Sequence, residues 1–471
     1  MATAISHPVA TLDLVRSISS RTRAVLVLQV FALTLFVFPS DTVVKVIGAG
    51  GYPAALVGMF AFAAFLAVSL LGFHHPLEQR HPIRAVLCLL WLSVLASYVL
   101  MDRDALTASE LASADRLLMQ LALISGVALI AAEFLGSLHD IRRVLRAVCW
   151  GGAFCGVVAA LQFWISLDIS TYLRELPGFS LNVNDLGIGN IGIGARGALN
   201  RVSGTATYPI ELGVVAGMLL PLAIYLAIHD TGRSARRRWA PVGLIALAIP
   251  ASVSRSAVIS VVVALTVLVV LMPARQRLVA LCALPFSLAA VFMTAPGLIG
   301  TLSSLFGAGT KDTSVAYRVS DYPVVERFLE QAPWFGRGGW TYLPDNVIDI
   351  LDNQYLKTAI ELGLVGVAAL GLFFLVPTVA ALLARRRSDD AELRLLCAAL
   401  AGAALAATAS SFTFDSLSYP MFTGLYALVI GLIGAASQLA AAEAPAPADA
   451  DTASTATVSV SRPRAPLPAG G

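Results

Sequence analysis

The chain is poor in charge. Only 13% of its 471 residues are charged, and its mean hydropathy is +0.80. A soluble chain carries about 25% charged residues, so the polar surface needed to cover a water-soluble globule is missing. Nothing in this composition provides the strongly basic face that nucleic acid demands. Cysteine is scarce: Cys88, Cys149, Cys155, Cys282 and Cys397 all fall in apolar stretches without CxxC spacing. They read as small core residues and exclude a disulfide frame or a thiolate metal site. Histidine is scarcer in one respect that matters more. The six histidines are His7, His74, His75, His81, His139 and His229, all on segments assigned below to the inner side. The outer side then has no imidazole to act as a base or metal ligand. His74, His75 and His81 have no cysteine or paired carboxylate beside them and read as solvated loop residues. "RSISSRTR" precedes the first apolar block with no small-residue cleavage site, which predicts an uncleaved first span.

What is abundant is apolar sequence in long blocks. They fall near 24–40, 51–73, 83–101, 116–136, 144–166, 208–229, 240–254, 256–272, 278–299, 355–383, 395–412 and 420–440. A bilayer-crossing helix needs roughly 20 such residues, so the pattern predicts an all-α, polytopic helical membrane protein of about twelve spans. The pair meeting at Ser254–Ser256 could also be one bent element. Basic residues alternate between loops: the N-terminus (1–23), the loops near 74–84, 137–146, 230–239, 273–277 and 384–394, and the tail hold most of them. The short loops on the other side hold only Lys45, Arg103 and Arg116. By the positive-inside rule both termini face the cytoplasm. Two long loops, 167–207 and 300–353, then face outward, and loops of that length usually carry function. The Ala/Pro/Ser/Thr-rich tail, 441–471, reads as a disordered cytoplasmic extension. Within the second loop a short interfacial helix is expected, capped by Asp321, with Pro323 in its first turn.

Several residues could carry chemistry. Arg255 stands between two apolar blocks, where a charge is costly and marks a functional site or a buried pair. Arg201 precedes the sixth span, and Arg318 lies in the second outer loop. Guanidinium forks converging from different loops suit a diphosphate; the bland alternative is pairing with Glu211 or Glu361. Those two carboxylates open spans in near-parallel contexts, "YPIELG" and "TAIELG", where the helix dipole favours them. Asp415 is a similar boundary carboxylate. "GRGG" at 336–339 reads as a turn, though the amides of Gly336 and Gly338 could face a phosphate. "GIGNIG" at 187–192 lacks the strand and helix of a dinucleotide fingerprint, and "DRD" at 102–104 is a weak metal pattern. In "DNQYLKTAIELGLVG", Asp352 could cap the helix that follows or serve as a carboxylate base.

Together "RVSGTATYPIELG", "SVSRSAVIS", "PWFGRGGW", "DNQYLKTAIELGLVG" and "SFTFDSLSYP", in this order, resemble the O-antigen ligase and polymerase superfamily of bacterial membrane proteins, over about 195–435. The resemblance implies an architecture similar to the GT-C glycosyltransferases and an inverting, metal-independent transfer with no cofactor. The donor would be a glycan on undecaprenyl diphosphate. A glycan or lipid-glycan acceptor would receive it at the outer face of the cytoplasmic membrane. Arg201, Arg255 and Arg318 match the family's arginine positions. Asp352 matches the position where the ligases usually have His, which makes it the candidate base, and Asn353 and Tyr355 match the neighbouring Asn and Tyr. Glu211, Gly336 and Gly338 complete the expected substrate contacts. A polytopic transporter of a small solute or glycan is the competing reading; it would place polar residues mid-membrane in broken helices.

Overall fold

The computed structural model describes residues 8–76, 79–182, 194–196, 199–294, 313–344 and 350–443. "GIGNIG" and the tail beyond 443 lie outside them. The protein is all-α, with two small antiparallel strand pairs among the described residues. Five helices form the first half: α1 (Pro8–Val37), α2 (Pro53–Leu70), α3 (Pro82–Leu100), α4 (Ala108–Phe134) and α5 (Leu138–Ala160). A one-turn α6 (Ser170–Arg174) and the strand pairs β1 (Thr42–Val44) with β2 (Phe179–Leu181) and β3 (Gly194–Arg196) with β4 (Leu199–Arg201) follow. The second half is α7 (Pro209–His229), α8 (Ala235–Ser252), α9 (Arg255–Leu271), α10 (Ala274–Thr294), α11 (Thr313–Gln331), α12 (Gln354–Arg387), α13 (Ala391–Ser410) and α14 (Pro420–Glu443).

Each of the twelve apolar blocks is a helix, but among the described residues only nine are long and apolar enough to cross a membrane. α8 begins with Ala235-Arg-Arg-Arg238, which lowers its hydropathy, and α9 has 17 residues. The pair at Ser254 is therefore two helices. Val253 between them adopts a left-handed conformation, φ 43°, and the helices splay to pack on α7 from different sides. α11 also departs from expectation. It starts at Thr313, so Asp321 and Pro323 lie inside it and do not open it. A proline removes one backbone donor and crowds one carbonyl, which kinks a helix without always ending it.

Local signals explain the ends. Thr107 and Glu110 form a reciprocal capping box at α4, Ser137 and Asp390 cap α5 and α13, and prolines open α2, α3 and α7. Close packing depends on small residues. A Cβ on Gly126 would sit 2.3 Å from the Gly58 carbonyl oxygen, one on Gly156 would sit 2.2 Å from that of Leu244, and one on Gly402 would sit 2.6 Å from that of Ala264. In a bilayer such close approach, with no hydrophobic drive between helices, holds them together. α14 is buried nearly all round, as a helix apolar on every face must be. Cys149, Cys155 and Cys397 are core residues as expected, while Cys88 and Cys282 are exposed on helix faces. His74 and His81 are not solvated: both contact the buried Glu133 carboxylate, at 2.5 and 3.2 Å.

Candidate active site

The described segments 252–255, 332–344, 350–354 and 410–420 gather at one end of the bundle with 37–53, 101–108, 161–182 and 199–208. Three of the expected site segments meet there, joined by the first turn of α7. The first is the apex of the α8–α9 turn. Val202 donates its amide to the Ala251 carbonyl at 3.3 Å, and the Arg201 Nε donates to the Ser252 carbonyl at 3.4 Å. Arg201 and Arg255 thereby reach the same turn from different loops, Arg255 as the first residue of α9. Arg318 lies on the α11 backbone, and its side chain is outside the described residues.

The first turn of α7 joins this apex to the other segments. A Cβ on Gly213 would sit 2.4 Å from the Ala257 Cβ and 2.6 Å from the Ser252 Oγ, so α7 rides directly on the turn. Glu211, two residues earlier, is fully buried. Its Oε2 accepts from the Thr207 amide at 2.7 Å, and its Oε1 accepts from the Met421 and Phe422 amides at 2.8 and 3.1 Å. The expected substrate contact of Glu211 is thus replaced by a cap for α14, whose first turn presents unpaired amides to a carboxylate. The signal was Pro420, which marks a helix start without supplying a side-chain cap.

The start of α12 is the second segment. Asn353 is its N-cap: the side-chain oxygen accepts from the Tyr355 and Leu356 amides at 2.9 and 3.3 Å. Asp352 is exposed beside it and is not the cap. Tyr355 stacks on Phe412, with ring centroids 4.2 Å apart, and donates to the Thr408 carbonyl at 3.2 Å. Its ring is half-buried against the exposed Phe412, and the Asn353 side-chain oxygen is engaged by the helix amides. Gln354 ties the turn to the last loop, donating its amide to the Ser411 carbonyl and accepting from the Leu417 amide at 2.8 Å.

One residue here was missed in the sequence. Lys357 Nζ reaches Asp415 at 3.3 Å and donates to the Ser418 hydroxyl at 2.7 Å. Its rarity as one of three lysines, one turn after the cap, was the available signal. Tyr419 follows on the same loop, its ring edge-on to Tyr208 at 5.7 Å. Desolvation, then the charges of Asp415, Glu211 and Asp352, hold its hydroxyl well above the ordinary phenol range. Desolvation and Asp415 raise Tyr208 in the same way. Asp352, Asp415 and Tyr419 therefore share one electrostatic neighbourhood.

The third segment is the "GRGG" turn. α12 is broken at Gly363, φ 64° and ψ −165°, which frees carbonyls near its first turns. The Arg337 and Gly338 amides donate to the Ile360 and Glu361 carbonyls at 3.0 Å each, and the Leu364 and Val365 amides donate to the Pro333 and Trp334 carbonyls at 2.9 and 3.2 Å. Ser97 Oγ also donates to the Glu361 carbonyl at 3.0 Å. The Gly336 amide donates to the Ala332 carbonyl. These amides are used within the fold, so the expected phosphate-facing role of Gly336 and Gly338 gives way to docking the loop on the break. Both glycines are in left-handed backbone, and a Cβ on Gly336 would sit 2.4 Å from the Glu361 carbonyl oxygen. Arg337 itself reaches Glu110 at 2.6 Å. Asp102, of the weak metal pattern, accepts from the Asp104 amide at 3.2 Å as a turn residue. Among the described residues no His, Cys, Asp and Glu group is arranged to hold a metal ion.

Residues 240–371 match the family model of the O-antigen ligases. The resemblance read from the sequence is thus shown for this segment. It runs from α8 to the middle of α12 and contains Arg255, Arg318, Gly336, Gly338, Asp352, Asn353 and Tyr355; Arg201 and Glu211 precede it. The O-antigen ligase segment contributes the α8–α9 apex, the docked turn and the start of α12. No curated protein matches the chain.

Proposed function

We propose that this membrane protein is a glycosyltransferase that moves a glycan from an undecaprenyl-diphosphate carrier to an acceptor hydroxyl at the outer face of the cytoplasmic membrane. It would act as a ligase or as a surface-polysaccharide polymerase. The observation that carries the reading is at the α12 cap. Asn353 accepts the Tyr355 and Leu356 amides as the helix cap, and the Asp352 carboxylate stands exposed on the residue before it. It lies in the same neighbourhood as Tyr419, Asp415 and the α7 turn that seats the Arg201–Arg255 apex.

In the proposed reaction the acceptor oxygen attacks the anomeric carbon from the face opposite the diphosphate. The carbon–oxygen bond to phosphate breaks, and the electron pair leaves with undecaprenyl diphosphate. The hydroxyl proton passes to Asp352. One displacement inverts the anomeric centre without a covalent enzyme intermediate. Arg201, Arg255 and Arg318 would neutralise the charge growing on the leaving diphosphate, the contribution that usually dominates such transfers. Metal independence rests on the resemblance alone.

A carrier-type reading fits less well. The break at Gly363 is the kind of interrupted helix a transporter uses to coordinate its substrate, but its freed carbonyls accept from Arg337, Gly338 and Ser97. Arg255→Ala tests the diphosphate assignment. We expect transfer from a lipid-linked donor to fall by at least about 100-fold, the scale for loss of one preorganised donor, with the folded protein retained by size exclusion. Transfer within a few-fold of wild type from the folded variant would refute it.

A further inference from the structure

At the opposite end of the bundle, the segment before α3 encloses an open cavity of about 550 Å³, lined by Gln79, Arg80, His81, Pro82, Arg84, Ala85 and Cys88. Its floor is a built polar cluster. The Glu133 side chain on α4, fully buried, takes Arg84 at 2.5 Å, His74 at 2.5 Å and His81 at 3.2 Å. Gln79 donates to the Glu133 carbonyl at 3.2 Å and accepts Arg84 Nη1 on its own carbonyl at 3.3 Å. Glu133 is thereby saturated, and the cluster fixes Arg84 and His81 against the cavity.

Two features of this cavity remain unexplained by the fold. The side chain of His81 is wholly buried, yet its Nδ1 has no partner among the described residues, and neither does Arg84 Nε nor Gln79 Oε1. Arg80, at the mouth, is exposed and makes no hydrogen bond or ion pair with any described residue. With Arg84 balanced by Glu133, Arg80 is the uncompensated charge of the lining. The walls then change character within one helical turn: Cys88, Leu89, Leu92 and Leu95 of the spanning helix α3 are exposed and apolar, as are Leu70, Leu71 and Phe73 beside the cavity.

We infer that this cavity binds the phosphate headgroup of an anionic phospholipid, with the acyl chains lying along the exposed face of α3. A phosphate brings negative charge to Arg80, the exposed cation of the lining, and only a lipid also covers the adjoining apolar face. Basic pockets between spanning helices are suited to such headgroups. The site lies at the far end of the bundle from the candidate active site and does not depend on the proposed reaction.

Native mass spectrometry of the purified full chain tests it, with phosphatidylglycerol and phosphatidylcholine offered in equal amounts. Wild type should retain phosphatidylglycerol preferentially. Arg80→Ala should lower that retention about fivefold, the equivalent of about 1 kcal/mol, and leave phosphatidylcholine unchanged. Arg80→Glu should lower it further. Arg80 is exposed and makes no hydrogen bond or ion pair with a described residue, so both variants should elute as folded protein. Excess inorganic phosphate should not displace the lipid, because the chains contribute to binding. Equal retention by wild type and both variants, or complete displacement by phosphate alone, would overturn the inference.

Discussion

Asp352 and Glu211 show how two carboxylates at the same boundary acquire different fates. Glu211 accepts three backbone amides in a fully buried site, so its role is to hold α7 against α14. Glu211→Ala should lower stability by about 2–3 kcal/mol, the scale for hydrogen bonds to a charged group left unmade. Thermal unfolding in detergent measures this. Glu211→Gln, which keeps one acceptor oxygen, should lose less. Asp168 gives a pH-dependent counterpart in the loop after α5. Burial raises its pKa, but hydrogen bonds from Ser170 and Gln162 and the charge of Arg174 outweigh that and hold it below the ordinary 3.8. Arg174 also pairs with the buried Asp41 at 3.0 Å. A depressed folded pKa stabilises fully above the unfolded value and is lost as pH falls through the folded one. The loop should therefore loosen only in acid below about pH 4, and Asp168→Asn should flatten that acid limb in a protease-protection profile.

Among the elements, the break in α12 determines where the turn at 333–338 sits. Gly363 cannot be replaced cheaply: its φ is 64°, and a Cβ would sit 2.5 Å from the Trp334 carbonyl. Gly363→Ala should cost about 1–3 kcal/mol in backbone strain and undock the Pro333–Gly338 turn. Faster proteolysis within 332–340, with the bundle intact, is the expected reading; unchanged cleavage would show that the docking does not depend on the break. Such a feature is hard to see in sequence. "ELGLVG" reads as an apolar helix with two tolerated glycines, and only the partner strand of carbonyls and amides, some 25 residues away, reveals why one of them is left-handed. The same limit applied to α11, where Pro323 looked like a helix start and is internal. The capping of α12 was ambiguous for a related reason, since "DN" offers two adjacent capping side chains and backbone geometry selects Asn353.

For the whole molecule, most of the architecture was legible. Hydropathy marks the nine described helices that are long and apolar enough to span, because a bilayer leaves each spanning segment no alternative to satisfying its own backbone. Loop placement followed from the same blocks. The Lys357–Asp415 pair and the Glu133 cluster were not anticipated. Those pairings join residues 58 and 49 to 59 positions apart, and charge spacing along the chain carries no record of which helix ends meet. The central claim is that the end of the bundle holding the α12 cap performs group transfer with Asp352 as base. Its most direct test is the rate of transfer from a purified undecaprenyl-diphosphate-linked glycan by Asp352→Asn protein in lipid vesicles. General-base loss predicts a fall of about 10²–10⁴-fold with donor binding and thermal stability unchanged. A rate equal to wild type from the same vesicles would contradict the account.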